Sequence, residues 1–286
     1  MKTAPPPTRS LFRMTTRAGR ELVGTLDLPA GDGVHPAVVA CHGFKGFMEW
    51  GFFPSLAELL ASRGFVVVRF NFTGAGMQPG DELVTDLDAF RENTFSREVD
   101  ELIEVLDATG ERIAPGRVDR SRIGLFGHSR GGGTALLAAA SDAWCERLPA
   151  LVTWAAVASF DRASPAMKEY WRRTGVLPFV NQRTGQELPL GIGLLEDLET
   201  NREALDLAAA AARRRMPWLL LHGDVDETVP HEEADVLYAA AANPVELLKV
   251  KGGDHGLGGR HPFRGPTPPL IQAMNATQRW LRRKLT

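Results

Sequence analysis

"GLFGHSRGGG", residues 124–133, decides how this chain is read: an apolar strand ends there and a single serine stands among glycines. Gly127-His128-Ser129-Arg130-Gly131 matches G-x-S-x-G, the pattern of a strand that turns sharply into a helix and lifts the serine hydroxyl clear of the sheet. The glycines matter because the turn is strained and leaves no room for β-carbons beside the serine. On its own the match also fits a glycine-rich strand-to-helix turn that binds phosphate, so the rest of the chain has to discriminate.

Outward from this stretch the grammar is strand, helix, strand, helix. "PAVVACHG" (36–43) is a short apolar run closed by glycine, as a buried parallel strand would be. "FPSLAELLASRG" (53–64) reads as a helix with Pro54 near its start, Leu56, Leu59 and Leu60 on one face, and Gly64 as its stop. "FVVVRFNF" is the next strand; after a polar loop, "TFSREVDELIEVLDATG" puts Phe95, Val99, Leu102 and Leu106 on one helical stripe. "GGGTALLAAASDAW" follows the serine as a helix, "ALVTWAAVAS", "PWLLLHG" and "VELLKVKGG" are further strands, and "IQAMNATQRWLRRKL" closes the chain as a helix. Before all of these, "SLFRMTT" and "ELVGTLDLPAG" read as strands joined by the turn Arg17-Ala18-Gly19-Arg20. The alternation implies right-handed crossovers and an α/β architecture, a mostly parallel sheet covered on both faces.

One connection is too long. Roughly 60 residues separate "ALVTWAAVAS" from "PWLLLHG", several times what a crossover helix needs. The division expected is a core of residues 1–157 and 216–286 with an insertion at 158–215. An insertion at the carboxyl edge of a parallel sheet would lie over the place where such sheets bind ligands, which suits a cap or lid. Surface decoration or a homodimer contact is the plainer use. Trp171 and Phe179 within it are compatible with an apolar acyl or aryl pocket, although aromatics in a cap mostly pack its own small core.

The 286 residues carry a net charge of −2, with 44% hydrophobic and 24% charged residues, as in a soluble globular protein. Nothing argues for nucleic acid; the nearest basic run, Arg213-Arg214-Arg215, reads as the solvated end of a helix. "MKTAPPPTRSLFRM" has no apolar signal core, no stretch is long and apolar enough to span a membrane, and the two cysteines make no disulfide framework. A cytoplasmic location is the expectation. There is no internal repeat, and "GAG" at 74–76 lacks the third glycine and following helix of a dinucleotide site.

A serine hydroxyl needs a base, an orienting acid and an oxyanion site before it can attack an acyl carbon. Asp224 and Asp226 both stand in the loop after "PWLLLHG" as candidates for the acid, with Glu227 behind them; an Asx-type turn residue is the plain alternative. Of the seven histidines only His231, His255 and His261 follow Asp226, and only His255 stands where the final strand ends, with glycines on both sides. His42 and His128 are expected to point into packing or local hydrogen bonds. For the oxyanion, backbone N–H groups are expected from Arg130, after the nucleophile, and from Phe44, in "CHGFKG" after an early strand. Lys45 is placed to hold a substrate carboxylate, although most lysines face solvent; Cys41 suits a small core residue.

"HGF" after a strand, "GHSRGG", "HGDVDETVP" and "GGDHG", in that order, resemble the α/β-hydrolase superfamily, and within it the esterase and acylaminopeptidase-like branch that includes bacterial cinnamoyl and feruloyl esterases. The resemblance covers about residues 20 to 285. It implies an eight-stranded, mostly parallel sheet, a Ser129–His255–Asp226 triad, oxyanion donors at Phe44 and Arg130, and a capping role for the insertion. It implies no metal or organic cofactor and a small-molecule ester as partner. Ser129 departs from the cysteine nucleophile of dienelactone hydrolases and the aspartate of haloalkane dehalogenases, and no propeller-sized N-terminal domain of the prolyl oligopeptidase kind is present. The reaction expected is carboxylic-ester hydrolysis through an acyl-enzyme. A serine peptidase or amidase of the same fold is the alternative, and an inactive binding or scaffolding relative is a third reading.

Overall fold

The computed structural model describes residues 6–286, so the start of the N-terminal stretch read as lacking a signal core lies outside the described residues. Strands β1 (Thr8–Thr15) and β2 (Glu21–Leu28) pair antiparallel, as do β2 and β4 (Val66–Phe70). The pairings among β3 (His35–Cys41), β4, β5 (Val118–His128) and β6 (Ala150–Trp154) are parallel. β7 (Val176–Val180) and β8 (Glu187–Gly191) form a separate antiparallel hairpin. β9 (Trp218–Gly223) and β10 (Val245–Val250) then complete an eight-stranded sheet in the order β1-β2-β4-β3-β5-β6-β9-β10.

The continuous apolar runs are explained by burial on both faces. Along β3, Val38 and Ala40 join the cluster that holds α1 (Phe53–Ser62) and α9 (Pro268–Leu285). Ala37, Val39 and Cys41 join the opposite cluster, which includes α3 (Phe95–Ala108), α4 (Arg130–Ala139), α7 (Leu207–Arg213) and α8 (Glu232–Ala240). With a two-residue period and helices on both sides, neither half of a central strand can be polar. α3 begins where the Thr94 hydroxyl accepts the Arg97 N–H at 3.2 Å.

α3 also differs from the simple stripe read in the sequence. Glu98, Glu101 and Glu104 are buried beside its apolar residues, three positions apart and therefore on one side of the helix. Each has a donor: the Arg130 guanidinium for Glu98, the Thr73 hydroxyl and its N–H (2.9 Å) for Glu101, and the Arg17 N–H (2.8 Å) for Glu104. Burial pushes the Glu101 carboxyl up to about 7, against the lowering effect of the Thr73 hydrogen bonds.

A second buried charge cluster ties the antiparallel edge to the loop after β3. Arg69, 1% exposed, donates to Asp27 Oδ2 from Nε at 3.1 Å and Nη2 at 3.0 Å, and from Nη1 to the Met48 carbonyl at 2.5 Å. Asp27 Oδ1 accepts from Arg9 Nε at 2.6 Å, and Asn71 Oδ1 accepts the Met48 N–H at 2.7 Å. Arg214 corrects an expectation: it is not solvated but fully buried, donating to the carbonyls of Met216 (2.5 Å) and Asn243 (2.7 Å) with its guanidinium over the Trp218 ring. Local charge density hid this, because the partners come from chain that folds back beside it.

The long connection after β6 contains α5 (Pro165–Thr174), the β7–β8 hairpin, α6 (Ile192–Thr200) and α7. α7 packs against α4 and α8 in the layer that covers the sheet, so it serves as the crossover helix between β6 and β9. The part before it leans on the other side of the site, against α3 and the short helix α2 (Leu87–Arg91). The Asp197 carboxylate accepts the Ser96 N–H at 2.9 Å, and the Phe95 and Phe160 rings stack at 4.5 Å. At the hairpin, the Gln186 side chain accepts the Val84 N–H (3.0 Å) and donates to the Val84 carbonyl (2.7 Å). Among the described residues no helix is long and apolar enough to cross a membrane.

Two outcomes follow for stability. Asp27→Ala leaves the Arg69 charge buried without its main partner, and urea denaturation should show a loss of about 3–5 kcal/mol. Glu101 holds its proton to about pH 7 in the folded chain against an ordinary 4.5, so its contribution is full below 4.5 and lost as pH rises through 7. Glu101→Gln should therefore flatten the fall in stability between pH 5 and 8, a difference of roughly 1–3 kcal/mol in pH-resolved denaturation curves.

Candidate active site

Ser129 stands between β5 and α4 with φ 57° and ψ −125°, a conformation costly for any residue bearing a β-carbon. Its N–H donates to the Trp154 carbonyl at 2.9 Å, which anchors the turn to the neighbouring strand. Glycine is required around it. A β-carbon on Gly127 would strike the Gly131 carbonyl, one on Gly131 would strike the His42 carbonyl, and one on Gly43 would lie 2.9 Å from Ser129 Cβ. The turn and the loop after β3 are thus in backbone contact, the close approach that the glycines of both motifs allow.

Three strand ends meet over this turn. Ser129 Oγ lies 3.0 Å from His255 Nε2, and His255 Nδ1 lies 2.8 Å from Asp226 Oδ2. Asp226 stands in the loop after β9 and His255 in the loop after β10, the two positions the chain order pointed to. The other Asp226 oxygen accepts the N–H groups of Thr228 and Val229, both at 2.9 Å. Burial alone would push the Asp226 carboxyl up, but hydrogen bonds from His222 and His255, the His255 charge and the Val229 N–H outweigh it and hold the group well below the usual carboxylate range. With Nδ1–H donated to a fixed carboxylate, His255 keeps Nε2 free to accept the serine proton. Asp224 points elsewhere and accepts the Gly252 N–H at 2.6 Å. Glu227 is exposed.

The N–H groups of Phe44 and Arg130 donate to no acceptor among the described residues. Arg130 N is the first N–H of α4, and the position of a Gly43 β-carbon, 3.4 Å from it, puts the loop of Phe44 alongside. Free N–H groups of this kind can serve a developing oxyanion, each such donor being worth about 3–4 kcal/mol in related chemistry. The Arg130 side chain turns away, paired with buried Glu98 and lying 4.6 Å from the centre of the Phe44 ring. His42 and His128 do what was expected of them. His42 Nδ1 donates to the Gly43 carbonyl (2.9 Å), its Nε2 accepts the Phe72 N–H, and burial lowers it to about 4. His128 Nε2 donates to the His255 carbonyl at 2.8 Å, and burial, aided by the neighbouring His255, lowers it to about 3. Cys41 is fully buried, and burial raises its thiol pKa.

The sequence reading missed the supporting layer. His128 holds the backbone of the histidine that faces Ser129, and fully buried His222 donates from Nε2 to the Val229 carbonyl (2.8 Å) while lying 3.4 Å from Asp226 Oδ2. Both stand inside the motifs, and their neighbours were the available signal. Ser129 and His255 open into a cavity of about 530 Å³ lined by Phe44, Lys45, Trp50, Trp171, Phe179 and the start of α3, among others. Trp171 is buried and Phe179 half-buried, its ring edge-on to Phe44 at 5.4 Å. Among the described residues no group of three or more His, Cys, Asp or Glu side chains is arranged to hold a metal ion.

If the loop after β3 must lie against the nucleophile turn, Gly43→Ala should slow labelling of Ser129 by a fluorophosphonate at least about tenfold, roughly the effect of one impaired oxyanion donor or more. Unchanged labelling would mean that the contact has no part in reactivity.

Known proteins share this architecture. The chain is 26% identical over 257 residues, 78% of its length, to an uncharacterised 31.7 kDa protein of the traX-finO intergenic region of Escherichia coli, covering 84% of that protein. It is 28% identical over 235 residues to 2,6-dihydropseudooxynicotine hydrolase of Paenarthrobacter nicotinovorans, covering 80% of this chain and 54% of the relative. The solved α/β hydrolase GrgF from Penicillium sp. sh18 superposes with a TM-score of 0.72 over 97% of this chain and 99% of that one, at 20% identity. The model of the prolyl oligopeptidase family matches residues 50–265. With that match spanning most of its length and the sheet order in place, the chain belongs to the prolyl oligopeptidase family and is a hydrolase of the α/β-hydrolase fold.

Proposed function

We propose that the protein hydrolyses carboxylic esters of small to medium acyl or aryl groups, with Ser129 as nucleophile, His255 as base and Asp226 as the acid that orients it. The observation that carries this reading is the unbroken chain of hydrogen-bonding distances, 3.0 Å from Ser129 to His255 and 2.8 Å from His255 to Asp226, beside two unpaired backbone N–H groups. Ser129 Oγ bonds to the acyl carbon as its proton passes to His255 Nε2, and the N–H groups of Phe44 and Arg130 hold the oxyanion. The carbon–oxygen bond to the alcohol then breaks, the alcohol leaves with the proton from His255, and water, activated by the same histidine, frees the acid. Residues 158–206 act as the cap over the acyl or aryl group, with Trp171 and Phe179 in its wall, while α7 belongs to the core layer.

The family contains peptidases, which makes amide hydrolysis the second reading. The cavity supports the ester more. Among the described residues that line it the one carboxylate is Asp161, which is paired with Lys168 at 2.6 Å, so no free carboxylate in that wall is placed to receive the ammonium of a peptide terminus.

The expected result is turnover of a p-nitrophenyl acyl series and methyl ferulate, highest for short or aryl acyl groups, with an aminoacyl anilide left intact. Ser129→Ala should lower that turnover by roughly 10⁴-fold or more with an unchanged circular dichroism spectrum. A dominant anilide signal would replace the ester reading with the peptidase one.

A further inference from the structure

Lys45 is the one charge in the cavity wall that the described residues leave unanswered. Arg130, Arg162 and Arg183 all line the cavity and all have carboxylates, in Glu98, Glu233 and Glu82. Asp161 has Lys168. Lys45 lines the same space, yet no carboxylate among the described residues lies within ion-pairing distance and no hydrogen bond engages its Nζ. Its ammonium is instead held 4.6 Å from the centre of the Phe179 ring and 5.5 Å from that of Phe44.

This is a costly place to keep a solvated cation. The side chain is half-buried, and burial lowers its pKa below the ordinary lysine value. The residue also sits at φ 59°, in the left-handed region where glycine is at ease, in the stretch "HGFKG" that is rich in glycine. Contact with two ring faces recovers part of the lost hydration and fixes the ammonium where it is. It does not supply the counter-charge that a desolvated cation requires. Lys45 follows Phe44, whose N–H faces the reacting oxygen in the proposed reaction. Lys45 and Ser129 line the same cavity, so an anion on Nζ would share that space with the scissile carbonyl.

We infer that Lys45 selects esters that carry a carboxylate within a few bonds of the scissile carbonyl, the anion closing on its ammonium while the adjoining apolar part packs on Phe44 and Phe179. The inference rests on the ester reading and narrows its substrate class. Lys45 acts here on specificity and takes no part in bond making.

Two matched pairs of substrates test it with the full chain. One places the anion on the acyl side, 4-nitrophenyl hydrogen glutarate against 4-nitrophenyl pentanoate; the other places it on the alcohol side, 4-acetoxybenzoate against its methyl ester. In at least one pair the anionic member should have the higher kcat/KM. Lys45→Met should lower that preference ratio about tenfold or more, mainly through KM, the loss usual for one charge-assisted contact. Lys45→Arg, which keeps the charge, should retain most of it, and glutarate should inhibit the wild type more strongly than Lys45→Met. A ratio that is the same in wild type and Lys45→Met for both pairs would overturn the inference and leave the ester reading standing. Failure to hydrolyse any of the four esters, with the aminoacyl anilide cleaved, would remove the ester reading and the inference with it.

Discussion

The backbone of Ser129 is the constraint on which the rest of the structure depends. A residue with φ 57° and ψ −125° costs about 1–3 kcal/mol and persists only where its surroundings permit nothing else. Here they permit little else. The Ser129 N–H is committed to Trp154 on β6, the glycines on either side admit two backbone segments that no other residue would, and α4 starts at once. The strain is borne by β5, which lies inside the sheet between β3 and β6 and has buried side chains on both faces. A strand at the edge could not hold such a turn against fraying.

From that turn outward, loop geometry is set by polar groups that have themselves been taken out of water. Arg69 and Asn71 on and after β4 grip the Met48 backbone, so the loop that carries Phe44 is tied to the antiparallel half of the sheet. His128 grips the His255 backbone, and the Thr228 and Val229 N–H groups grip Asp226. The contacts of Arg69, Asn71 and His128 each run from a strand or its end to a loop, which is how a rigid scaffold passes its precision to groups that are not part of it, while the Thr228 and Val229 N–H groups fix Asp226 within its own loop. Glu98 extends the same logic: it accepts from Arg130 and from Asn93 at 2.7 Å, fixing the side chain that follows Ser129.

What was legible in the sequence and what was not divide along a physical line. The positions of Ser129 and His255 at strand ends could be read because chain order and strand ends are local properties, and each stands where an apolar run stops beside glycine; Asp226 was told from Asp224, in the same loop, only by the family resemblance. The parallel sheet was legible for the same reason. Arg214 was misread because its acceptors include Asn243, brought in by the fold and not by the neighbourhood in sequence. The three buried glutamates of α3 were invisible to a search for apolar periodicity, since a carboxylate with a buried donor looks like a solvated one until the donor is known. Helix α8 escaped because its inward residues, Ala234 and Leu237, are few among acidic ones. α7 read as part of the insertion, because an alanine-rich segment shows no preferred face until α4 and α8 lie against it. The surroundings of Lys45 depend on Phe179, which reaches it only after the hairpin has folded back.

The β7–β8 hairpin, which lines the cavity, is fastened in a way that sets its response to salt. Gln186 grips both polar groups of the Val84 peptide, imitating with a side chain the paired bonds of one rung of a sheet. Such a clasp has no charge, so ionic strength leaves it untouched, whereas the adjacent Arg183–Glu82 pair at 3.3 Å is partly exposed and weakens as salt rises. The hairpin is therefore fastened by two unlike parts, a neutral amide clasp that salt does not weaken and an ion pair that it does.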